Sequence, residues 1–223
     1  QGLRRFVNDA RLFQDVNDGM PPDMDAPRSV LLVGAAAALK ELGQGGRVRE
    51  LVQGGATAIV FAPGTSVADL FPKDVGDVRK VTGEYADFAP AAGTQLTAGL
   101  RATDLKWWGR KDDWRVFVAS SSHRLKAGGA ARELIRFIPA HSYIPAERVP
   151  EQYQAVLFEI PLGLGRVWVC DLDLEESVTV DPAARLLAIN LLRAAADPSS
   201  TKTLPLVPSH QEMLSGRRKP AVK

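Results

Sequence analysis

The alternation of apolar and polar positions between residues 155 and 174 predicts a β-hairpin. Two runs rich in strand-forming residues, 155–161 and 166–174, are joined by a short connection that contains Gly163 and Gly165. A short glycine-bearing connection between two such runs is typical of a hairpin. Because side chains alternate along a strand, the two faces of the second run carry, respectively, Trp168, Cys170, Leu172 and Leu174, and Val167, Val169, Asp171 and Asp173. Apolar side chains on both faces as far as Cys170 predict a strand that is covered on both sides.

A helix is predicted to follow this hairpin and to close the domain. Asp181 suits the N-cap position and Pro182 the first helical position. Leu187, Leu191 and Ala194 then recur at helical spacing, which indicates one apolar stripe facing a core. The dipeptide at residues 197–198, Asp-Pro, is a helix stop.

The earlier part of the chain reads as a β-α-β unit. Residues 29–34 and 57–62 are short apolar runs that predict buried strands, and residues 47–53 between them predict an amphipathic helix. Strands connected through a helix are parallel, with a right-handed crossover. Three further expectations complete this interpretation: a less regular region from 65 to 109, a strand at 115–120 and a helix at 129–137.

The predicted organisation is one α/β domain with an extension at each end. Residues 1–27 are expected to form a helix and a linker, residues 28–197 the domain, and residues 198–223 an extended or disordered tail. The first residues resemble the middle of a chain, with no initiator methionine or signal-peptide pattern. We therefore expect a fragment of a longer protein.

Composition and motifs exclude several classes of function. A net charge of +2 gives little electrostatic attraction to nucleic acid or to a membrane surface, and a single cysteine excludes a disulfide framework. No segment is long and apolar enough to span a bilayer. The small residues after Gly34 lack the glycine fingerprint of a dinucleotide site, and the three histidines lack metal-ligand spacing. No cofactor and no metal are expected.

Three groups of residues are candidates for chemistry at the predicted sheet. Cys170 lies within an apolar strand beside a carboxylate, which predicts a buried structural thiol rather than a nucleophile. Ser120, Ser121 and Ser122 precede His123 without a nucleophile elbow. Asp171 and Asp173 would lie roughly 6–7 Å apart on one strand face, within the range of about 5–10 Å for glycosidase carboxylates. The alternative is that these acids and Glu175 are structural or face a ligand at the end of the strand.

The segment from residue 104 to residue 114 has the most unusual composition. Three tryptophans are interleaved with charged residues, so the indoles could anchor an interface or stack on sugar rings. The alternative is that the segment covers the sheet edge, with tryptophans partly in the core. The candidate ligand or interface residues are Asp104, Lys106, Trp107, Trp108, Arg110 and Trp114.

Four stretches of sequence carry a resemblance to a known class of domain. They are residues 30–34, 54–63, 99–110 and, most strongly, 158–176 with the helix at 181–192. Together they resemble the class I glutamine-amidotransferase-like α/β domains at the C-terminal end of glycoside hydrolase family 2 and related β-galactosidase-like enzymes. The resemblance implies a three-layer sandwich with a mostly parallel, flavodoxin-like sheet, a C-terminal hairpin and a closing helix. It also implies a secreted or periplasmic location.

The same resemblance carries over no catalytic residue. Amidotransferases of this class place a cysteine on a tight turn, and the corresponding turn here, residues 62–66, has none. The leading hypothesis is therefore a non-catalytic accessory domain or subunit of a bacterial glycoside hydrolase, which packs on the catalytic module or on a partner subunit. A carbohydrate and a second copy of the chain are further candidate partners. The alternatives are an independent hydrolase or amidase with a site near Asp171 and Asp173, and a carbohydrate-binding module that uses Trp107, Trp108 and Trp114.

Overall fold

A computed structural model describes residue 26 and residues 29–34, 40–61, 66–80, 85–89, 92–109, 115–119, 121–138 and 154–197. Its strands are β1 (Val30–Gly34), β2 (Thr57–Phe61), β3 (Val75–Lys80), β4 (Tyr85–Phe88), β5 (Trp107–Gly109), β6 (Arg115–Phe117), β7 (Ser121–Leu125), β8 (Arg132–Ile138), β9 (Gln154–Leu162) and β10 (Gly165–Cys170). Its α-helices are α1 (Arg47–Gln53), α2 (Ser66–Leu70), α3 (Gly93–Thr97), α4 (Leu174–Ser177) and α5 (Pro182–Ala196), and a 3₁₀ helix spans Ala102–Leu105. The predicted N-terminal helix and C-terminal tail lie outside the described residues.

Eight of the described strands form one mixed sheet. Its main path runs β1-β2-β10-β9-β7-β3, and β8 pairs with both β9 and β4. The pair β1–β2 is parallel, as the β-α-β pattern predicted, and the pair β2–β10 is parallel as well. The five remaining pairings in this sheet are antiparallel. The prediction of a mostly parallel, flavodoxin-like sheet is therefore wrong. Strand β9, the first strand of the hairpin, is antiparallel to β10, and it also forms antiparallel pairs with β7 and β8.

The hairpin is confirmed, and its turn fits tightly against the end of α1. Gly163 adopts φ +65°, a region that favours glycine. A Cβ atom at Gly163 would lie 2.7 Å from the Cα of Gln53, and one at Gly165 would overlap the carbonyl oxygen of Ala56. The amide N–H of Leu164 donates to the carbonyl oxygen of Gln53 at 3.0 Å. Glycines at these two positions thus allow the hairpin to dock on the helix.

The two faces of β10 pack as their alternation predicted. Trp168 and Cys170 belong to one core cluster together with Leu187 and Leu191 of α5. Val167 and Val169 belong to a second cluster, with Val48 and Val52 of α1. Helices therefore cover the central strands from both sides. In the described part of the chain no helix is long and apolar enough to cross a membrane.

The closing helix α5 begins and ends where the sequence predicted. The Oδ1 atom of Asp181 accepts hydrogen bonds from the amide N–H groups of Ala183 and Ala184 at 2.9 and 3.1 Å. This is the N-cap geometry that satisfies the free amides of the first turn. Buried Asn190 donates from Nδ2 to the carbonyl oxygens of Leu96 and Ala98, which fixes α5 to the end of α3.

Two sequence predictions fail in the middle of the chain, and a third is confirmed in part. The helix predicted at 129–137 is strand β8, whose Leu134, Ile135 and Phe137 are buried between β9 and β4. The region 65–109 is not irregular, since it contains α2, β3, β4, α3 and β5. The strand predicted at 115–120 exists as β6, but it pairs with β5 in a separate two-stranded sheet. Short apolar runs do not distinguish helix from strand, and pairing with distant strands decided the outcome here.

Candidate functional site

A buried polar cluster lies where β10 ends. Both His123 of β7 and Arg136 of β8 pair with Ala155 of β9, so β7 and β8 occupy opposite edges of β9. Because β8 and β10 also flank the same part of β9, β7 and β10 follow one another along a single edge. Asp171 is the residue at their junction, and its amide N–H donates to the carbonyl oxygen of Val156 at 2.8 Å.

The Asp171 carboxylate accepts two side-chain hydrogen bonds. Its Oδ1 atom lies 2.7 Å from the hydroxyl oxygen of Ser121, and its Oδ2 atom lies 2.6 Å from Nδ1 of His123. An ionised carboxylate only accepts hydrogen bonds, so Nδ1 of His123 carries the proton in this pair. The His123 ring packs at a tilt on the Phe158 ring, with 5.2 Å between centroids. Asp171 and His123 are 1% and 0% exposed, so the pair is part of the interior.

The hydrogen bonds of this cluster differ from those of a Ser-His-Asp triad. In a Ser-His-Asp triad the serine hydroxyl hydrogen-bonds to the imidazole, whereas the Ser121 hydroxyl donates to the carboxylate. Beyond Asp171 the chain leaves β9: Leu172 forms a bridge with Ala119, and the amide N–H of Asp173 donates to the carbonyl oxygen of Val118 at 2.8 Å. The cluster therefore ties together the strands that diverge at this point.

The acidic strand-end candidates do not occupy equivalent places. Asp171 is buried, Asp173 is half-buried immediately before α4, and Glu175 is exposed in the first turn of α4. The predicted separation of Asp171 and Asp173 assumed a continuous strand, but β10 ends at Cys170. That spacing argument for a glycosidase-type pair therefore does not apply.

Cys170 lies in the interior as expected. It is a free, fully buried cysteine within the core cluster that faces α5. Burial raises the pKa of its thiol to about 12. Since the thiolate is the reactive species, this environment suits a structural cysteine.

The tryptophan segment divides into a buried part and an exposed part. Trp108 is completely buried, and its Nε1 atom donates to the carbonyl oxygen of Asp104 at 3.0 Å. The Asp104 carboxylate in turn accepts from the amide N–H of Arg101 at 2.7 Å. Lys106 and Trp107 are exposed, and Trp107 retains 51% of its surface. The candidates Arg110 and Trp114 lie outside the described residues.

Strand β5, which carries the exposed indole, is attached to the start of α5. The amide N–H of Gly109 donates to Oδ2 of Asp181 at 3.0 Å. Trp107 and Trp108 point in opposite directions, as neighbouring residues on a strand do. The segment is therefore core at Trp108 and surface at Trp107.

A second buried polar network was missed by reasoning from sequence. Arg166 donates from Nη1 to Oε2 of Glu159 at 3.3 Å and from Nη2 to the carbonyl oxygen of Ala194 at 2.9 Å. The same Glu159 oxygen accepts from Nε1 of Trp168 at 2.9 Å, and the Arg166 guanidinium lies 4.8 Å from the centroid of that indole. Burial lowers the pKa of Arg166, while Glu159 opposes that shift. The signal in the sequence was the presence of one charged residue in each of two apolar strands, Glu159 in β9 and Arg166 in β10.

The described residues contain no group of three histidine, cysteine or acidic side chains that could hold a metal ion.

Comparisons with known proteins give partial structural similarity. No protein-family model matches the chain, and no curated protein matches it in sequence. A cold-adapted β-galactosidase from a Rahnella species is 9% identical over 80% of this chain, with a TM-score of 0.40. A carbohydrate deacetylase is 11% identical over 78%, with a TM-score of 0.44, and a β-galactosidase from Bacillus circulans is 13% identical over 80%, with a TM-score of 0.40. The chain spans 23%, 26% and 23% of these proteins, respectively.

Proposed function

We propose that this chain is a non-catalytic, amidotransferase-like accessory domain or subunit of a glycoside hydrolase. In this proposal it packs on the catalytic module through the contact segment, defined here as residues 104–109. The resemblance of residues 158–176 to such domains supports the choice of enzyme class. The observation that carries the proposal is a difference in exposure: the side chains of Cys170, His123 and Asp171 are buried, whereas the indole of Trp107 is exposed.

The buried groups argue for an accessory role. Cys170, His123 and Asp171 are all at most 1% exposed, and the last two bind each other. A nucleophile or general base must reach its substrate within hydrogen-bonding distance. These three side chains instead pack in the interior, where they stabilise the sheet.

The exposed groups argue for a contact surface. Large apolar side chains exposed in the described residues are Trp107, Leu164 and Val180. Tryptophan is among the residues most enriched where partner proteins bind, since it combines a large apolar area with one hydrogen-bond donor. Lys106 beside it supplies a charge at the rim of such a contact.

The proposal is tested by following Trp107 in the isolated chain and in the assembled enzyme. The chain is labelled with 5-fluorotryptophan, and the ¹⁹F resonance of Trp107 is assigned from its absence in Trp107→Phe. We expect this resonance to lose its solvent isotope shift on assembly, and Trp107→Ala to weaken assembly by about tenfold or more, as for an interface hot spot.

Leu164→Ala is the matched control, because Leu164 is an apolar residue 84% exposed at the hairpin tip. It should leave assembly unchanged. An unaltered Trp107 resonance in the assembled enzyme would contradict the proposal.

The exposed indole also favours a second candidate, a carbohydrate-binding module. Trp108 is buried, so Trp107 is the tryptophan of β5 that offers a face to a sugar ring. Titration with oligosaccharides would then change the Trp107 resonance in the isolated chain. A response to sugar without any response to the catalytic module would replace the accessory-domain proposal by this one.

A further inference from the structure

One carboxylate serves both the closing helix and the strand that carries Trp107. Oδ1 of Asp181 accepts from the amide N–H groups of Ala183 and Ala184, and Oδ2 accepts from the amide N–H of Gly109 at 3.0 Å. The two oxygens of this side chain thus have separate tasks. The first caps α5, and the second holds the last residue of β5.

Strand β5 is a short element outside the main sheet. It contains three residues, and its described strand partner is β6, in a sheet separate from the main one. Trp108 fixes the middle of the strand through its burial and its bond to Asp104. Isolated two-stranded ribbons are marginally stable in water. The hydrogen bond from Gly109 to Asp181 joins the end of this strand to the start of the long helix α5.

From this geometry we infer that Asp181 is a positioning residue for the contact segment. It holds the backbone of β5 in the orientation that presents Lys106 and Trp107, and it links that orientation to the start of α5. The inference rests on the proposed function, because it assigns Asp181 a role in the contact made by Trp107. Asp181 itself lies behind this surface and acts through Gly109.

The two tasks of Asp181 can be separated by substitution. Serine is as good an N-cap residue as aspartate, but its single hydroxyl cannot also reach Gly109. Asparagine likewise keeps an oxygen for the cap, while its NH₂ group replaces the acceptor opposite the Gly109 amide. Alanine removes both functions. Asp181→Ser and Asp181→Asn should thus retain a capped α5 and release β5.

The experiment compares these three variants with the wild-type chain. For Asp181→Ser we expect a melting temperature within about 4 °C of wild type, the shift that roughly 1 kcal/mol produces in a domain of this size. We expect amide hydrogen exchange at Gly109 to become about tenfold faster or more, since a hydrogen bond to a charged acceptor is lost. The affinity for the catalytic module should fall by a similar factor. Asp181→Ala should show both effects and also a lower melting temperature.

The outcomes separate this inference from the proposed function. Unchanged Gly109 exchange in Asp181→Ser and Asp181→Asn would overturn the positioning role, whatever the partner is. If Trp107→Ala weakens assembly but Asp181→Ser does not, the positioning role is wrong and the proposed contact stands. If Trp107→Ala leaves assembly unchanged, the proposed contact is wrong and the role inferred for Asp181 in it falls as well. Should Asp181→Ser fail to fold, Asp181→Asn provides the same comparison.

Discussion

Asp171 and His123 form a buried pair, with 2.6 Å between Oδ2 of the carboxylate and Nδ1 of the imidazole. Together with Ser121 this pair holds β7 beside the end of β10. Buried charged groups are tolerated where their hydrogen bonds are satisfied. The pair therefore places Asp171, one of the acidic strand-end candidates, in a hydrogen-bonded position between β7 and β10.

Replacing Asp171 by asparagine should destabilise the protein without exposing a catalytic defect. The amide places a donor where the carboxylate accepted from Ser121 or His123, so we expect a loss of about 2–3 kcal/mol in the free energy of unfolding. Urea denaturation measures this loss. Asp173→Asn is the control, since Asp173 is half-buried, and its effect should be smaller. A fully stable Asp171→Asn protein that had lost a hydrolytic activity would favour the alternative of an independent enzyme.

The two adjacent tryptophans of β5 should respond very differently to truncation. Trp108→Ala removes a completely buried side chain and should cost about 3–5 kcal/mol of stability. Trp107→Ala removes an exposed side chain and should change stability by roughly 0.5 kcal/mol or less. Equilibrium denaturation of both variants provides the comparison. Equal losses would show that Trp107 is part of the core, which would also remove the basis of the proposed contact.

The thiol of Cys170 should stay unreactive in the native protein over the neutral and mildly alkaline range. Its pKa is raised to about 12 by burial, compared with 9.0 for an ordinary thiol. Iodoacetamide should therefore label Cys170 at the rate of global unfolding, with little acceleration between about pH 7 and pH 9. Rapid labelling of the folded chain at pH 8 would contradict this placement.

The same shift has a defined effect on stability. The folded state holds the thiol proton more tightly than the unfolded state does, so this contribution is fully present below about pH 9. It is lost as the pH rises towards 12, because only the unfolded chain releases the proton in that interval. In Cys170→Ala the decline in stability across this interval should be shallower than in the wild type.

Arg166 and Glu159 should show strong energetic coupling. Arg166→Met leaves the Glu159 carboxylate buried without its cation, for which a loss of about 3–5 kcal/mol is expected. Adding Glu159→Gln should recover part of that loss, since glutamine carries no charge and keeps an acceptor for Nε1 of Trp168. A double-mutant cycle in urea measures the coupling. Strictly additive effects would show that the pair does not act as a unit.

Local signals in the sequence were sufficient for the C-terminal hairpin and the closing helix. Gly163 and Gly165 marked the hairpin, and Asp181 with Pro182 marked the start of α5. Both features depend on residues close together in the chain, whose conformational requirements are visible in sequence. The alternation of buried faces on β10 was predicted for the same reason.

Pairing between distant residues explains what could not be predicted. His123 and Asp171 are 48 positions apart, and the sequence does not indicate that β7 and β10 share an edge of β9. The apolar run around Leu134 and Ile135 is compatible with a helix and with a strand, and its pairing with β9 and β4 makes it strand β8. Trp107 and Trp108 are both candidates by sequence. Which of them is buried depends on how β5 packs, and the sequence does not indicate this packing.

The position of β10 in the sheet has a consequence for how the chain folds during synthesis. Its neighbour β2 pairs with it through Thr57 and Arg166, which are 109 positions apart. Contacts of such long sequence separation form slowly, and the N-terminal strands leave the ribosome first. Until the hairpin has been synthesised, β2 keeps one edge unpaired and open to association with other chains. Strand β10 therefore covers the open edge of β2, and nascent chains that end before residue 165 should be the ones that aggregate.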